Sequence, residues 1–162
     1  MLAAIALACA ANSGQWAAAF VIAFGAWDLA FYGFLKLLLD WPASLFTWDI
    51  LFLLPVPWVG PVLAPALVSV AMIAAGVWHL WIESSIGPVR IGPAHWAGML
   101  GGAAIIILAF AMDYRNIMAA RVPQPFHWAI FSLGMALGLG SYAIAAARMS
   151  RPSRRLMLHP DS

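Results

Sequence analysis

Apolar residues fill four long stretches of this chain, and few charged side chains interrupt them. The stretches cover residues 15–39, 59–83, 95–112 and 127–148. A helix needs about 20 predominantly apolar residues to cross the hydrocarbon core of a bilayer. The pattern therefore predicts an all-α, polytopic membrane protein, in which four transmembrane helices form a compact bundle and a single integral membrane domain.

The segment between the first two stretches, residues 41–58, is too apolar for an exposed loop. Its run 44–54 is too short to cross a bilayer, which predicts a short interfacial or re-entrant helix that begins at Ser44 and ends before Pro55. Such a segment suits a lid over a site or a docking surface for another subunit. The candidates for a partner interface are its aromatic residues, which are Trp41, Phe46, Trp48, Phe52 and Trp58.

Composition excludes a water-soluble globule, because 65% of the residues are hydrophobic and only 9% are charged. Four of the eight basic residues lie between positions 148 and 155. Arginines beside a spanning helix keep that end in the cytoplasm and meet anionic lipids more readily than nucleic acid. With the alternation of four spans, the basic tail 149–162 places both termini in the cytoplasm, and we expect a bacterial inner membrane.

The first 14 residues form an apolar N-terminal segment that contains Cys9, the single cysteine of the chain. The small residues around Cys9 imitate a signal-peptide cleavage site, but no basic residue precedes them. The segment is interpreted as an interfacial stub or as the end of a longer helix. A true terminus, a signal fragment and part of a further helix all stay open.

Small residues at four-residue spacing predict close helix packing in the third and fourth stretches. Backbones approach each other in lipid where small side chains repeat in this way. The residues concerned are Gly98 and Gly102, and Gly134 and Gly138, with a weaker pair at Ala71 and Ala75.

Asp28 lies near the middle of the first stretch, where an ionised carboxylate costs about 2.5 to 3.5 kcal/mol. Tyr32 and Lys36 follow at steps of four and share its helix face. Lys36 is about 12 Å away along the axis, so it extends to the outer surface instead of pairing with Asp28. Asp28 is expected to contact Tyr32 or another hydroxyl at similar depth, for which the candidates are Ser69, Ser141 and Tyr142. It either titrates in a proton or cation step or locks two helices together by a hydrogen bond.

A second group of ionisable residues lies at the opposite ends of the second and third helices. His79 and Glu83 are four residues apart, and His95 opens the third helix after a short loop. Two imidazoles and a carboxylate could ligate a divalent metal, and two imidazoles could ligate haem iron. The alternative, which we favour, is that these are ordinary interfacial side chains.

No Gly-rich phosphate loop, nucleophile elbow or CxxC motif is present, so the sequence favours a protein that is not an enzyme. The first hypothesis is a non-catalytic subunit or scaffold of a larger membrane complex, for which an energy-converting complex is one candidate. The second is a small proton-coupled transporter that uses Asp28, and the third is a membrane metal or haem enzyme. The expected partners are the lipid bilayer and other membrane subunits or further copies of the chain, and nucleic acid is not expected. The cofactor is left undetermined.

Overall fold

The computed structural model describes residues 10–52, 56–119, 121 and 124–149. The interpretations of Cys9 and of the basic tail 150–162 lie outside these residues. The described part contains four helices that are long and apolar enough to cross a membrane, as the hydropathy pattern predicts. They are α1 (Ser13–Leu39), α2 (Leu63–Ser85), α3 (Pro93–Ala111) and α5 (Trp128–Met149), and the short helix α4 (Tyr114–Met118) extends the third span.

The predicted short helix between the first two spans is wrong for the described residues, and so is the purely helical class. The segment forms an antiparallel hairpin of β1 (Trp48–Phe52) and β2 (Trp58–Pro61). Trp48, Ile50 and Phe52 alternate along the chain with Asp49 and Leu51, and a two-residue period suits a strand. The prolines at positions 55 and 57 cannot continue a helix. The hairpin also takes residues 58–61 away from the predicted start of the second span.

Ser44 stabilises a turn that precedes β1, and it does not cap a helix. Its Oγ accepts a hydrogen bond from the backbone N–H of Phe46 at 3.2 Å. The following residues continue the hairpin into α2, because the N–H groups of Val62 and Leu63 donate to the carbonyl oxygens of Thr47 and Leu45. These bonds satisfy amide groups at the start of α2, where no side chain caps the helix.

The spanning helices form two antiparallel pairs, α1 with α2 and α3 with α5. The predicted glycine contacts in the second pair are confirmed: a Cβ on Gly102 would lie 2.5 Å from the backbone nitrogen of Gly138 and 2.7 Å from the carbonyl oxygen of Gly134. In the first pair, Gly25 and Gly76 have this role. A Cβ on Gly25 would lie 2.7 Å from the Ser69 carbonyl oxygen, and one on Gly76 would lie 2.9 Å from that of Ala18.

Contacts between the two pairs are concentrated at the two ends of the bundle. Beneath the hairpin, Ala64 and Phe110 form a buried cluster with Ala109 and Phe131. At the opposite end, Ile82, Tyr142 and Ala146 form a second cluster. Gly60 lets β2 lie against α3, since a Cβ there would be 2.9 Å from the Phe110 ring. Between the clusters, α1 and α3 make no extensive contact among the described residues.

Candidate functional site

A cavity of about 530 Å³ occupies the space between α1, α2 and α3, beneath the hairpin. Aromatic and aliphatic side chains form most of its walls. The polar side chains among its lining residues are Asp28 and Tyr32 from α1, Asp49 from β1 and Ser69 from α2. The rim includes the half-exposed Phe31 of α1 and Ile107 of α3, so the mouth of the cavity faces the membrane between these two helices.

Asp28 is held by a hydroxyl of the second helix, as its position in the sequence predicts. Ser69 Oγ donates a hydrogen bond to Asp28 Oδ2 at 2.8 Å, and Ser69 itself is 2% exposed. Gly25 lies three residues before Asp28 and allows the backbones to approach at the level of Ser69. The glycine contact therefore brings the carboxylate and the hydroxyl within hydrogen-bond distance.

Tyr32 contacts a second carboxylate, Asp49, and does not donate to Asp28. Tyr32 Oη donates to Asp49 Oδ2 at 2.8 Å, and the backbone N–H of Ile50 donates to Asp49 Oδ1 at 2.8 Å. Both oxygens of Asp49 thus accept a hydrogen bond, and the Tyr32 bond ties the roof of the cavity to α1. The two carboxylates each have a hydroxyl donor of their own.

Lys36 lies at the end of α1 and does not line the cavity. Its ammonium donates to Asp40 Oδ1 at 2.6 Å and to the carbonyl oxygen of Pro42 at 3.2 Å. The hydrogen bond and the charge of Lys36 hold the pKa of the exposed Asp40 carboxyl below its usual value. Lys36 therefore interacts at the surface, as the sequence analysis expects, and leaves Asp28 and Asp49 without a basic partner in the cavity lining.

No polar side chain of α2 connects Ser69 to His79, because the nine residues between them are apolar or glycine. Between Ser69 and His79, Gly76 of α2 packs against Ala18 and Ile22 of α1. The cavity and the opposite end of the bundle are thus separated by about 15 Å of close apolar packing along α2, at 1.5 Å per residue. Asp28 therefore has no polar path along α2 to the opposite end of the bundle.

His79 and Glu83 form a polar cluster at that opposite end, with the start of α1. Glu83, whose side chain is 4% exposed, accepts hydrogen bonds from Asn12 Nδ2 at 3.0 Å and from the N–H of Val89 at 3.2 Å. His79 Nε2 lies 3.3 Å from Glu83 Oε1, but it has no hydrogen bond of good geometry among the described residues. Gly14 is required here, because a Cβ would lie within 2.9 Å of both side chains. The cluster anchors α1 to α2.

His95 does not complete a metal site with His79 and Glu83. Among the described residues, no group of three or more His, Cys, Asp or Glu side chains is arranged to hold a metal ion. His95 opens α3, with Nδ1 near Gly92. The convergence of the three side chains that the metal or haem hypothesis requires is therefore not found in this part of the chain.

The five aromatic residues suggested as a partner interface do not form one exposed surface. Trp41 stacks on Tyr32, Trp48 contacts Phe126, and Trp58 packs into the cluster beneath the hairpin. Only Phe46 and Phe52 are largely exposed, at 65% and 53%.

Asp49 is the cavity residue that the sequence reasoning missed. The sequence feature that could have identified Asp49 is that it is the single carboxylate within the apolar run 48–52. In a strand, its side chain points away from those of its two neighbours in sequence. Asp113 was also missed, and it has a structural role: its side chain accepts hydrogen bonds from Asn116 Nδ2 and from the N–H of Gln124. These bonds link the end of α3 to Asn116 and to the backbone of Gln124.

Comparison with protein-family models, curated proteins and solved structures gives no match to this chain.

Proposed function

We propose that this protein is a small proton-coupled transporter, with the cavity beneath the hairpin as its substrate site and Asp28 as the group that exchanges a proton. The observation that carries the proposal is an apolar cavity at membrane depth that contains carboxylates and no basic lining residue. An intramembrane carboxylate is costly to maintain, and such residues usually mark substrate or proton pathways.

Access to Asp28 from one side only suits a transporter better than a channel. A channel needs a continuous polar path, whereas apolar packing around Gly76 separates the cavity from the polar cluster of His79 and Glu83. Alternating access in this protein requires that α1 and α2 separate at Gly25 and Gly76. The structure then corresponds to the state that is open toward the hairpin and the membrane.

The first test identifies the occupant of the cavity. The protein is purified from its native membrane in mild detergent, and its bound small molecules are extracted and analysed by mass spectrometry. Ala103 and Ala104 are both exposed, but only Ala103 lines the cavity, so Ala103→Trp places a large ring at the cavity wall and Ala104→Trp is the matched control. A molecule carried by the wild type and the control, and lost from Ala103→Trp, supports the proposal.

Proton coupling is tested with the extracted molecule in proteoliposomes that contain a pH-sensitive dye. Its movement should carry protons in the wild type and not in Asp28→Asn, which keeps the size of the side chain and removes titration. Identical proton movement in both proteins, or the same extracted molecules from both tryptophan variants, contradicts the proposal.

The exposed turn that precedes the hairpin supports a second candidate function, a subunit or scaffold of a larger membrane complex. Phe46 is 65% exposed beside a turn at the mouth of the bundle. Phe46→Ser should then reduce co-purification of a stoichiometric partner. Leu100→Ser is the control, because Leu100 is 64% exposed on α3. Equal recovery of the partner from both variants argues against a role of the hairpin in assembly.

For orientation, we propose that both termini lie in the cytoplasm of a bacterium, with the protein in the inner membrane. Arg90 and Arg148 lie at one end of the bundle and Lys36, Arg115 and Arg121 at the other. The additional arginines of the tail favour the first end as the cytoplasmic one. In a Cys9→Ala background, an impermeant thiol reagent added outside should label cysteine introduced at position 119 and not at position 153.

A further inference from the structure

We infer that the cavity binds an amphipathic organic amine, whose ammonium group contacts Asp28 and whose apolar body fills the space beneath the hairpin. This inference rests on the proposed function, because it names the substrate class of the same site. It follows from three properties of the cavity, which are its charge, its free acceptor and its walls.

The ionisable lining side chains other than Tyr32 are carboxyl groups, and no basic side chain lies among them. Asp28 and Asp49 both line it, and no Lys, Arg or His is among its lining residues. Lys36, the single lysine of the sequence, already interacts with Asp40 and Pro42 outside the cavity. A cationic ligand would supply the missing counter-charge in a medium of low dielectric constant, where opposite charges attract more strongly than in water.

Asp28 is the carboxylate that has one oxygen without a hydrogen bond among the described residues. Asp49 already accepts from Tyr32 Oη and from the N–H of Ile50, one bond on each oxygen. Asp28 accepts from Ser69 on Oδ2, and no hydrogen bond to its Oδ1 is present among the described residues. The ammonium group is therefore expected to contact Asp28, while Asp49 contributes through its charge at longer range.

The walls favour an organic cation over a metal ion. Ca²⁺ takes six to eight oxygen ligands and Mg²⁺ requires about six, whereas the cavity offers four polar side chains and two of these use their hydroxyl hydrogens for the carboxylates. An ammonium group needs only hydrogen-bond acceptors. Phe24, Phe31 and Val68 are among the apolar residues that would cover its carbon skeleton. The volume of about 530 Å³ lies in the range of sites for drug-sized molecules.

The test compares 4-phenylbutylamine with 4-phenylbutan-1-ol, a neutral molecule with the same apolar body. The full-length protein is placed in nanodiscs of zwitterionic lipid, and binding is measured by calorimetry. Ala103→Trp in the same nanodiscs gives the background of partition into lipid. Thermal unfolding of every variant shows whether it is folded.

The wild type should bind the amine more tightly than the alcohol. Asp28→Asn should weaken amine binding by about tenfold or more, as expected for the loss of a charge-assisted hydrogen bond, and change alcohol binding by less than about twofold. Asp49→Asn should have a smaller effect on the amine. Asp40→Asn, outside the cavity, should leave both affinities unchanged.

Equal affinity for the two probes, or full amine affinity in folded Asp28→Asn, overturns the inference. If the alcohol still binds and Ala103→Trp removes that binding, the cavity is a site for neutral molecules and the proposed transporter stands without the amine. If Ala103→Trp changes the binding of neither probe, the cavity is not a binding site and both proposals fail.

Discussion

The hydrogen bond between Asp28 and Ser69 can be measured by a double-mutant cycle. The variants are Asp28→Asn, Ser69→Ala and both together, with reversible unfolding followed in detergent. Interhelical hydrogen bonds in a membrane bundle contribute about 0.6 kcal/mol on average and at most about 1.7 kcal/mol. The 2.8 Å distance and the 2% exposure of Ser69 favour the upper part of this range.

Two properties of the structure limit that value. Asp28 borders a cavity and is only partly buried, and a serine without its partner can donate to the carbonyl oxygen four residues earlier, here that of Pro65. Asparagine also keeps an acceptor. We therefore expect a coupling free energy of about 1 kcal/mol. A coupling indistinguishable from zero both in this cycle and in the same cycle with Asp28→Ala, which removes the acceptor, would refute the contact in variants that fold, and with it the position of Asp28 on the α2 side of the cavity.

Three further predictions concern the packing and the two ends of the bundle. Gly102→Ala should destabilise the protein by about 1 to 3 kcal/mol because its Cβ would meet backbone atoms of α5, whereas Gly33→Ala, with no atom within 4 Å of the added Cβ, should be neutral or stabilising in the same thermal unfolding assay. Lys36→Gln should raise the pKa of Asp40 toward its usual value, as measured by carboxyl NMR. Because the ion pair lowers the pKa of Asp40, the small contribution of the pair to stability is present above the unfolded-state pKa. This contribution disappears as the pH falls through the folded-state pKa. Glu83→Leu should release the start of α1, seen as faster amide exchange in its first turns with unchanged exchange in α3.

The four spanning helices could be predicted from the sequence because the bilayer requires a long apolar run for each, and the glycine contacts of α3 and α5 could be predicted from their spacing. The hairpin could not. A run of about eleven apolar residues suits a short helix or a strand equally well. The segment contains a strand because it pairs with β2, and the hydropathy pattern assigns most residues of β2 to the second span. The hydrogen bonds from the N–H groups of Val62 and Leu63 to the carbonyl oxygens of Thr47 and Leu45, respectively, are tertiary contacts that no local sequence pattern indicates.

The site was predicted in part for a similar reason. The depth of Asp28 and four candidate hydroxyl groups followed from helix geometry; Ser69 is one of the four, whereas Tyr32, another of them, donates to Asp49 instead. Selecting Ser69 required the approach of α1 and α2 at Gly25, which four-residue spacing did not indicate. The hydrogen bond between Tyr32 and Asp49 requires the hairpin, so it could not be predicted from a helix over residues 44–54.

The most direct test of a proton-exchanging carboxyl in a membrane-facing cavity is chemical labelling of Asp28. Dicyclohexylcarbodiimide partitions into lipid and reacts with protonated carboxyl groups, and the modified residue is located by peptide mass spectrometry. If Asp28 exchanges a proton in the cavity, we expect the reagent to modify Asp28 in the folded protein and to leave the exposed Asp40 unmodified. We expect the modification of Asp28 to be lost in Ala103→Trp, in which the ring occupies the cavity. Absence of modification at Asp28, or modification that is unchanged by Ala103→Trp, would contradict this role of Asp28.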